Sequence, residues 1–301
     1  MNTQVNISKE LYPFEGNYLD LNGHQYHYLD EGQGHPVVMV HGNPSWSFYY
    51  RNLAKTLRST HRVIVPDHIG MGLSDKPSDD AYGYHLEQRV DDLDALLSHL
   101  EIDSKITLVV HDWGGMIGMA YATRHPERVE RLVILNTGAF HLPNTKALPW
   151  QLKLARDSSL GGLLVRGFNA FSRGATIVGC TRKPMPKNIV QAYTAPYDTW
   201  TNRIATLRFV QDIPLFPQDK GYDLVSSVES QLGQFNKLPV LICWGDKDFV
   251  FDHHFLKQWQ SYLPNAEVHR FPDCGHYILE DATDEVIPLI EDFLERHPIA
   301  D

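Results

Sequence analysis

Cysteine is scarce: Cys180, Cys243 and Cys274 are the three in 301 residues. Odd in number and widely spaced, they form neither a disulfide framework nor a CxxC metal site. Such usage fits a reducing, cytoplasmic setting. Cys243 lies in an apolar run and reads as a small core residue. Long apolar runs are missing too, since none approaches the roughly 18–20 residues that span a bilayer. The opening MNTQVNISKELYPFEG lacks the apolar centre of a secretory signal, and none accompanies the glycosylation sequon Asn6-Ile7-Ser8. Basic charge is not in excess. Twenty-seven Lys and Arg face 37 Asp and Glu, for a net charge of -10. That balance argues against a nucleic-acid partner held non-specifically through its phosphates, while leaving room for a local basic patch.

What is present belongs to an ordinary globular protein, with 43% hydrophobic and 21% charged residues. The length suits one large α/β domain, or one with an insertion. Tyr18–Leu21 and Gln25–Tyr28 flank Asn22-Gly23, a strong hairpin signal. Short apolar runs without alternation follow at Val37–Val40, Val63–Val65, Ile106–Val110, Leu132–Leu135 and Val240–Cys243. Such runs suit strands buried on both faces of a parallel sheet. Leu86–Leu100 and Val286–Leu294 carry helical apolar stripes. Strands alternating with helices predict a doubly wound α/β fold.

The alternation fails between about Gly138 and Asp219. Helical periodicity shows in Leu152–Arg166 and Val190–Arg208, and no buried-strand run appears. The expected organisation is a core of residues 1–137 and 220–301 with a helical cap at 138–219. The chain shows no internal repeat and no low-complexity segment.

One segment carries chemistry. In Val109-Val110-His111-Asp112-Trp113-Gly114-Gly115 a buried strand runs into small residues and then a helical pattern. This is the form of a nucleophile elbow, with Asp112 where serine usually stands and Val110 where a glycine usually stands. Asp112 as a simple helix cap is the competing use. Chain order favours the elbow. Asp248 follows the run Val240–Cys243, and His276 follows Glu267–Phe271, which is the nucleophile, acid, histidine order of the hydrolase triad. Asp246 competes with Asp248 for the acid role. The loop His41-Gly42-Asn43-Pro44 occupies the place of the oxyanion loop.

Several residues read as structural. His111 is expected to point away from Asp112, and His253-His254 to lie on a solvated loop rather than in a metal site. Asp91, Asp92 and Asp94 are expected on a solvated helix face. The segment Pro66–Pro77 reads as a turn-rich loop. Of Trp46, Trp150 and Trp200, one is expected to touch substrate, the others being ordinary packing.

HGNPSWSFYYR, PDHIGMGLSDKP, VVHDWGG, WGDKDFVF and PDCGHYILED resemble the haloalkane dehalogenase family of α/β hydrolases nearly end to end. HIGMGLSDKP, FNAFSRGA, NRIATLRFVQDIP and DFVFDHHFL resemble its third subfamily, which includes the β-lactone decarboxylases of bacterial long-chain olefin biosynthesis. The resemblance implies an α/β-hydrolase fold, a nucleophilic Asp112 and a basic His276 oriented by Asp248. It also implies that the side chains of Asn43 and Trp113 donate to the leaving group and that their backbone N–H groups receive the oxyanion. Some family members carry the acid one strand earlier, where this chain has Asn136.

The implied activities are decarboxylation of a cis-3,4-dialkyl β-lactone to a cis-alkene, or hydrolysis of an alkyl halide through an ester on Asp112. An epoxide hydrolase would use two cap tyrosines, for which Tyr193 and Tyr197 are candidates. A non-catalytic binding protein on this fold is expected to have lost one of the triad residues, and all three are present. The resemblance implies an apolar small-molecule substrate and pathway enzymes as partners in an assembly. It implies no cofactor, and no metal-ligand spacing is evident.

Overall fold

The computed structural model describes Val5 and residues 7–299, so Asn6 of the sequon lies outside the described residues. One eight-stranded sheet organises the chain. Its strands are β1 (Asn17–Leu21), β2 (His24–Glu31), β3 (Pro36–Val40), β4 (Arg62–Pro66), β5 (Ile106–Asp112), β6 (Val129–Thr137), β7 (Val240–Gly245) and β8 (Glu267–Phe271). They lie in the order β1-β2-β4-β3-β5-β6-β7-β8. Only the β1–β2 and β2–β4 pairs are antiparallel.

Helices α1 (Arg51–Leu57), α2 (Leu86–His99) and α3 (Trp113–Arg124) link the early strands. Between β6 and β7 come α4 (Trp150–Asp157), α5 (Ser159–Phe168), α6 (Ala170–Val178), α7 (Lys187–Thr194), α8 (Ile204–Gln211) and α9 (Tyr222–Gln231). The chain ends with α10 (His253–Tyr262), α11 (Ile278–Asp281) and α12 (Thr283–Arg296). No helix among the described residues is long and apolar enough to cross a membrane.

The uninterrupted apolar runs have the reason expected of them. Val38 and Val40 join one core cluster while Val37 and Met39 join another, because alternate strand residues face opposite sides of the sheet. Both faces are covered, so neither set can be polar. Cys243 is buried on one of them. A third, smaller cluster of Leu152, Ala155, Val165, Leu207 and Val210 ties α4, α5 and α8 together above the sheet.

The helices after β6 break more often than their periodicity predicts. Leu152–Arg166 is two helices, since Ser158 is extended and its hydroxyl accepts from the Gly161 N–H to cap α5. Val190–Arg208 is interrupted after Thr194, where Pro196 enters a short turn of 3-10 helix before α8 begins. His253 and His254 open α10 instead of lying on a loop; Asp252 caps this helix and pairs with Lys146 at 2.6 Å. Asp92 is not solvated as expected. It accepts from the Tyr82 hydroxyl at 2.5 Å, and burial raises its pKa to about 6.

The chain passes from β3 to β4 on one side and then crosses to β5 on the other. That reversal leaves a crevice beyond the carboxyl ends of β3 and β5, where open α/β sheets bind ligands. Asn43 follows β3 and Asp112 ends β5.

Candidate active site

The turn from β5 into α3 is strained at its centre. Asp112 has φ +52° and ψ -128°, outside the regions that suit a residue with a side chain, and it makes no side-chain cap bond to α3. The helix-cap reading of Asp112 is therefore wrong. The strain is compatible with close packing only because the flanking residues are small. A Cβ on Gly114 would stand 1.9 Å from the Val40 carbonyl oxygen, and one on Gly42 would stand 1.9 Å from Asp112 Oδ1. Val110 fits two positions before Asp112 because its side chain faces the helix side of the sheet, in the same core cluster as Ile117.

The elbow delivers the Asp112 carboxylate to two groups. Its Oδ1 accepts from the Asn43 backbone N–H at 2.5 Å. Its Oδ2 lies 3.4 Å from His276 Nε2. The other imidazole nitrogen, Nδ1, meets Asp248 Oδ2 at 2.7 Å. The structure thus brings Asp112, His276 and Asp248 into one line, all of them buried. Asp248 holds its own position by accepting from the Val250 and Phe251 N–H groups at 2.8 and 3.1 Å. Asp246 is turned outward to Arg270, with bonds of 2.9 and 3.0 Å, so it does not compete.

Burial opposes charge on His276, but Asp248 first and Asp112 with it outweigh that and raise its pKa to about 10. With Asp112 free, the imidazole is cationic at neutral pH. Converting Asp112 to a neutral ester removes one of its two anions, which lowers the pKa towards that of a general base.

Asn43 and Trp113 flank the carboxylate. The Asn43 amide donates to the Thr206 carbonyl at 3.0 Å, which orients it and leaves its second N–H for the cavity. The Trp113 ring meets Phe209 edge-on at 5.3 Å, and no protein acceptor takes its indole N–H among the described residues. Both side chains line a cavity of about 560 Å³ together with Asp112 and His276. The remaining walls are mostly apolar, with Phe140, Phe171, Val178 and Phe251 among them.

Other expected residues lie elsewhere. None of Trp46, Trp150 and Trp200 lines this cavity: Trp46 is fully buried in the core, and the other two are exposed. Neither Tyr193 nor Tyr197 lines it. The Tyr193 hydroxyl donates to Glu280 at 2.6 Å and that of Tyr197 to the Ser45 carbonyl at 3.4 Å, so the tyrosine pair of an epoxide hydrolase is not assembled. His111 points away from the cavity as expected and has a specific contact. Burial and the neighbouring His276 hold it neutral, and its Nε2 lies 2.9 Å from the His276 carbonyl.

Two supports were not foreseen. Asn136, the last residue but one of β6, has φ +31° and donates to Asp248 through its side chain. His41 is a buried histidine whose pKa burial lowers; its Nδ1 reaches the Gly42 carbonyl at 2.8 Å, and its Nε2 faces the His68 N–H at 3.2 Å. These partners specify a neutral ring with the proton on Nδ1. That hydrogen bond holds the Gly42–Asn43 peptide, whose N–H reaches Asp112. A strand-end Asn and an HG dipeptide are the signals that pointed this way.

The family described as "alpha/beta hydrolase fold" matches residues 35–179 and 184–283. This chain belongs to the α/β-hydrolase fold family. Within it, the chain is 63% identical over 94% of its length, and 89% of the relative's, to a "Cis-3-alkyl-4-alkyloxetan-2-one decarboxylase" of Shewanella oneidensis. A protein of the same description from Xanthomonas campestris is 51% identical over 96% of this chain and 98% of its own. "Haloalkane dehalogenase 2" of Mycobacterium tuberculosis is 30% identical over 93% of this chain and 95% of its own. The crystal structure of the haloalkane dehalogenase DatA from Agrobacterium tumefaciens superposes with a TM-score of 0.83 at 24% identity, covering 94% of this chain and 97% of that one. This α/β hydrolase therefore has enzyme relatives along almost its whole length, and its fold is that of the dehalogenases.

Proposed function

We propose that this α/β-hydrolase-fold protein decarboxylates cis-3,4-dialkyl β-lactones to cis-alkenes. The observation that carries the reading is Asp112, unblocked by any side-chain cap bond, at the end of an apolar cavity whose polar donors are Asn43 and Trp113. Relatives of the same description at 51% and 63% identity support it.

In the proposed reaction Asp112 attacks the ring carbon that carries the lactone oxygen. The C–O bond breaks, its electrons pass to the lactone's own carboxylate, and an ester to Asp112 forms. The side-chain N–H groups of Asn43 and Trp113 receive that carboxylate as neutral donors, which do not form an ion pair with Asp112 and blunt it. Loss of CO2 then turns the C–C bonding electrons into the alkene and expels Asp112 with the electrons of its C–O bond. No water is consumed. Residues 138–219 act as a cap over the core of 1–137 and 220–301, excluding water and shaping the apolar pocket. The setting is cytoplasmic, and other enzymes of the olefin pathway are partners in an assembly.

Gas chromatography of a long-chain cis-β-lactone incubated with the protein tests the proposal. An alkene formed by the native chain and absent with Asp112→Ala is the expected result. Intact lactone after incubation with folded protein overturns it.

The second reading is haloalkane hydrolysis, favoured by the His276 imidazole 3.4 Å from Asp112 and paired to Asp248. There, His276 activates water against the alkyl ester, and Asn43 and Trp113 hold the halide. Bromide release from an alkyl bromide without alkene formation from the lactone would select this reading.

A further inference from the structure

Charge is unevenly divided along the chain. Residues 138–190 hold eight Lys and Arg against one acid, Asp157, although the whole chain stands at -10. Lys146, Arg156 and Arg182 are paired with carboxylates. Lys153, Arg173, Lys183 and Lys187 meet none among the described residues, and Lys153 and Arg173 are exposed.

The same segment exposes large apolar side chains. Trp150 is 70% exposed and Ile177 76%, on α4 and α6 respectively. Trp150 stands one helical turn from Lys153, and Ile177 one turn from Arg173, so each exposed apolar group shares a helix face with a free cation. Both faces adjoin residues that line the cavity. Gln151 beside Trp150, and Gly174 and Val178 beside Arg173 and Ile177, line that cavity, as does the 40% exposed Phe249.

We propose that this surface docks on an anionic phospholipid bilayer. Cations alone would suit any acidic surface. Exposed tryptophan and isoleucine in the same turns select one with an apolar interior, into which such groups sink while Lys and Arg meet headgroups. Docking there sets an apolar cavity beside the phase in which a long-chain substrate dissolves. This use of the surface rests on the lactone reading above; the docking itself does not.

Cosedimentation with vesicles of phosphatidylcholine, with and without phosphatidylglycerol, tests it without reference to turnover, so a failed lactone assay and a failed docking assay are told apart. The native chain is expected to bind the anionic vesicles and to release them in high salt. Lys153→Glu/Arg173→Glu and Trp150→Gln/Ile177→Gln, which alter exposed side chains outside the cavity, should each weaken binding roughly tenfold or more while leaving circular dichroism unchanged. No preference for the anionic vesicles, or binding undiminished in both variants, overturns the proposal. So does a native oligomer, seen by light scattering without vesicle binding, that the same variants dissociate; that result would assign the face to a second copy of the chain.

Discussion

The Asn136 side-chain amide donates to Asp248 Oδ2 at 3.2 Å, the same oxygen that His276 Nδ1 meets at 2.7 Å. Asn136 also donates to the Gly245 carbonyl and accepts the Gly245 N–H, so it joins the ends of β6 and β7 while aiming the acid. The end of β6 thus carries a group that positions the carboxylate at the end of β7.

Asn136→Ala should cost about 1–3 kcal/mol, because it leaves the buried Gly245 N–H unpaired. Denaturant unfolding reads that loss. Asn136→Asp should do more to the chemistry than to the fold. Two carboxylates so close cannot both ionise freely, so the acid site should titrate at higher pH and the activity profile should move with it.

Asp112→Asn should lower the His276 pKa from about 10, because it removes one of the two anions that raise it. Imidazole NMR of the native and variant proteins measures the difference. The folded value lies above the unfolded one, so the pairing stabilises the fold fully below about pH 6.5 and is lost as pH rises through about 10. The stability difference between native and Asp112→Asn should therefore be largest just below about pH 6.5 and shrink as the pH rises through about 10.

His276→Ala should separate the two chemistries. With an alkyl bromide, the variant should release one equivalent of bromide and hold the alkyl mass on Asp112, visible by mass spectrometry of the intact protein. With the lactone it should still form alkene, since that scheme uses no water. Loss of both in a folded variant would remove the water-free scheme.

Gly42→Ala should lower turnover on the order of 100-fold. The added methyl would stand 1.9 Å from Asp112 Oδ1, so either the loop after β3 or the carboxylate must move. A displacement near 1 Å at reacting atoms costs on the order of 100-fold in rate. Steady-state kinetics should show the loss.

His41→Phe should lower kcat and leave KM nearly unchanged. The ring contacts the Gly42 carbonyl and does not line the cavity, so its loss loosens the peptide that serves Asp112 without removing a substrate contact. A matching rise in KM would argue against that positioning role.

Strand positions, the elbow at Asp112 and the triad order were legible because each depends on local pattern: apolar runs, small residues at a tight turn, and carboxylate or histidine just past a strand. The choice of Asp248 over Asp246 was weaker in sequence, since both follow the same strand. It was decided by where Arg270 and His276 come to lie. The side that each aromatic after β6 faces was not legible, because an exposed Trp200 and a cavity-lining Phe171 look alike along a chain; it depends on helix breaks at Ser158 and Pro196 that periodicity smooths over. Composition and pattern by themselves determined a mainly parallel α/β sheet and an elbow-like strand-to-helix turn centred on an aspartate, since strand burial and turn geometry constrain residue types locally. The line from Asp112 through His276 to Asp248, the aim of Asn136 and the apolar walls were decided only by tertiary structure, because each joins residues from separate strands whose side chains meet in space and nowhere in sequence.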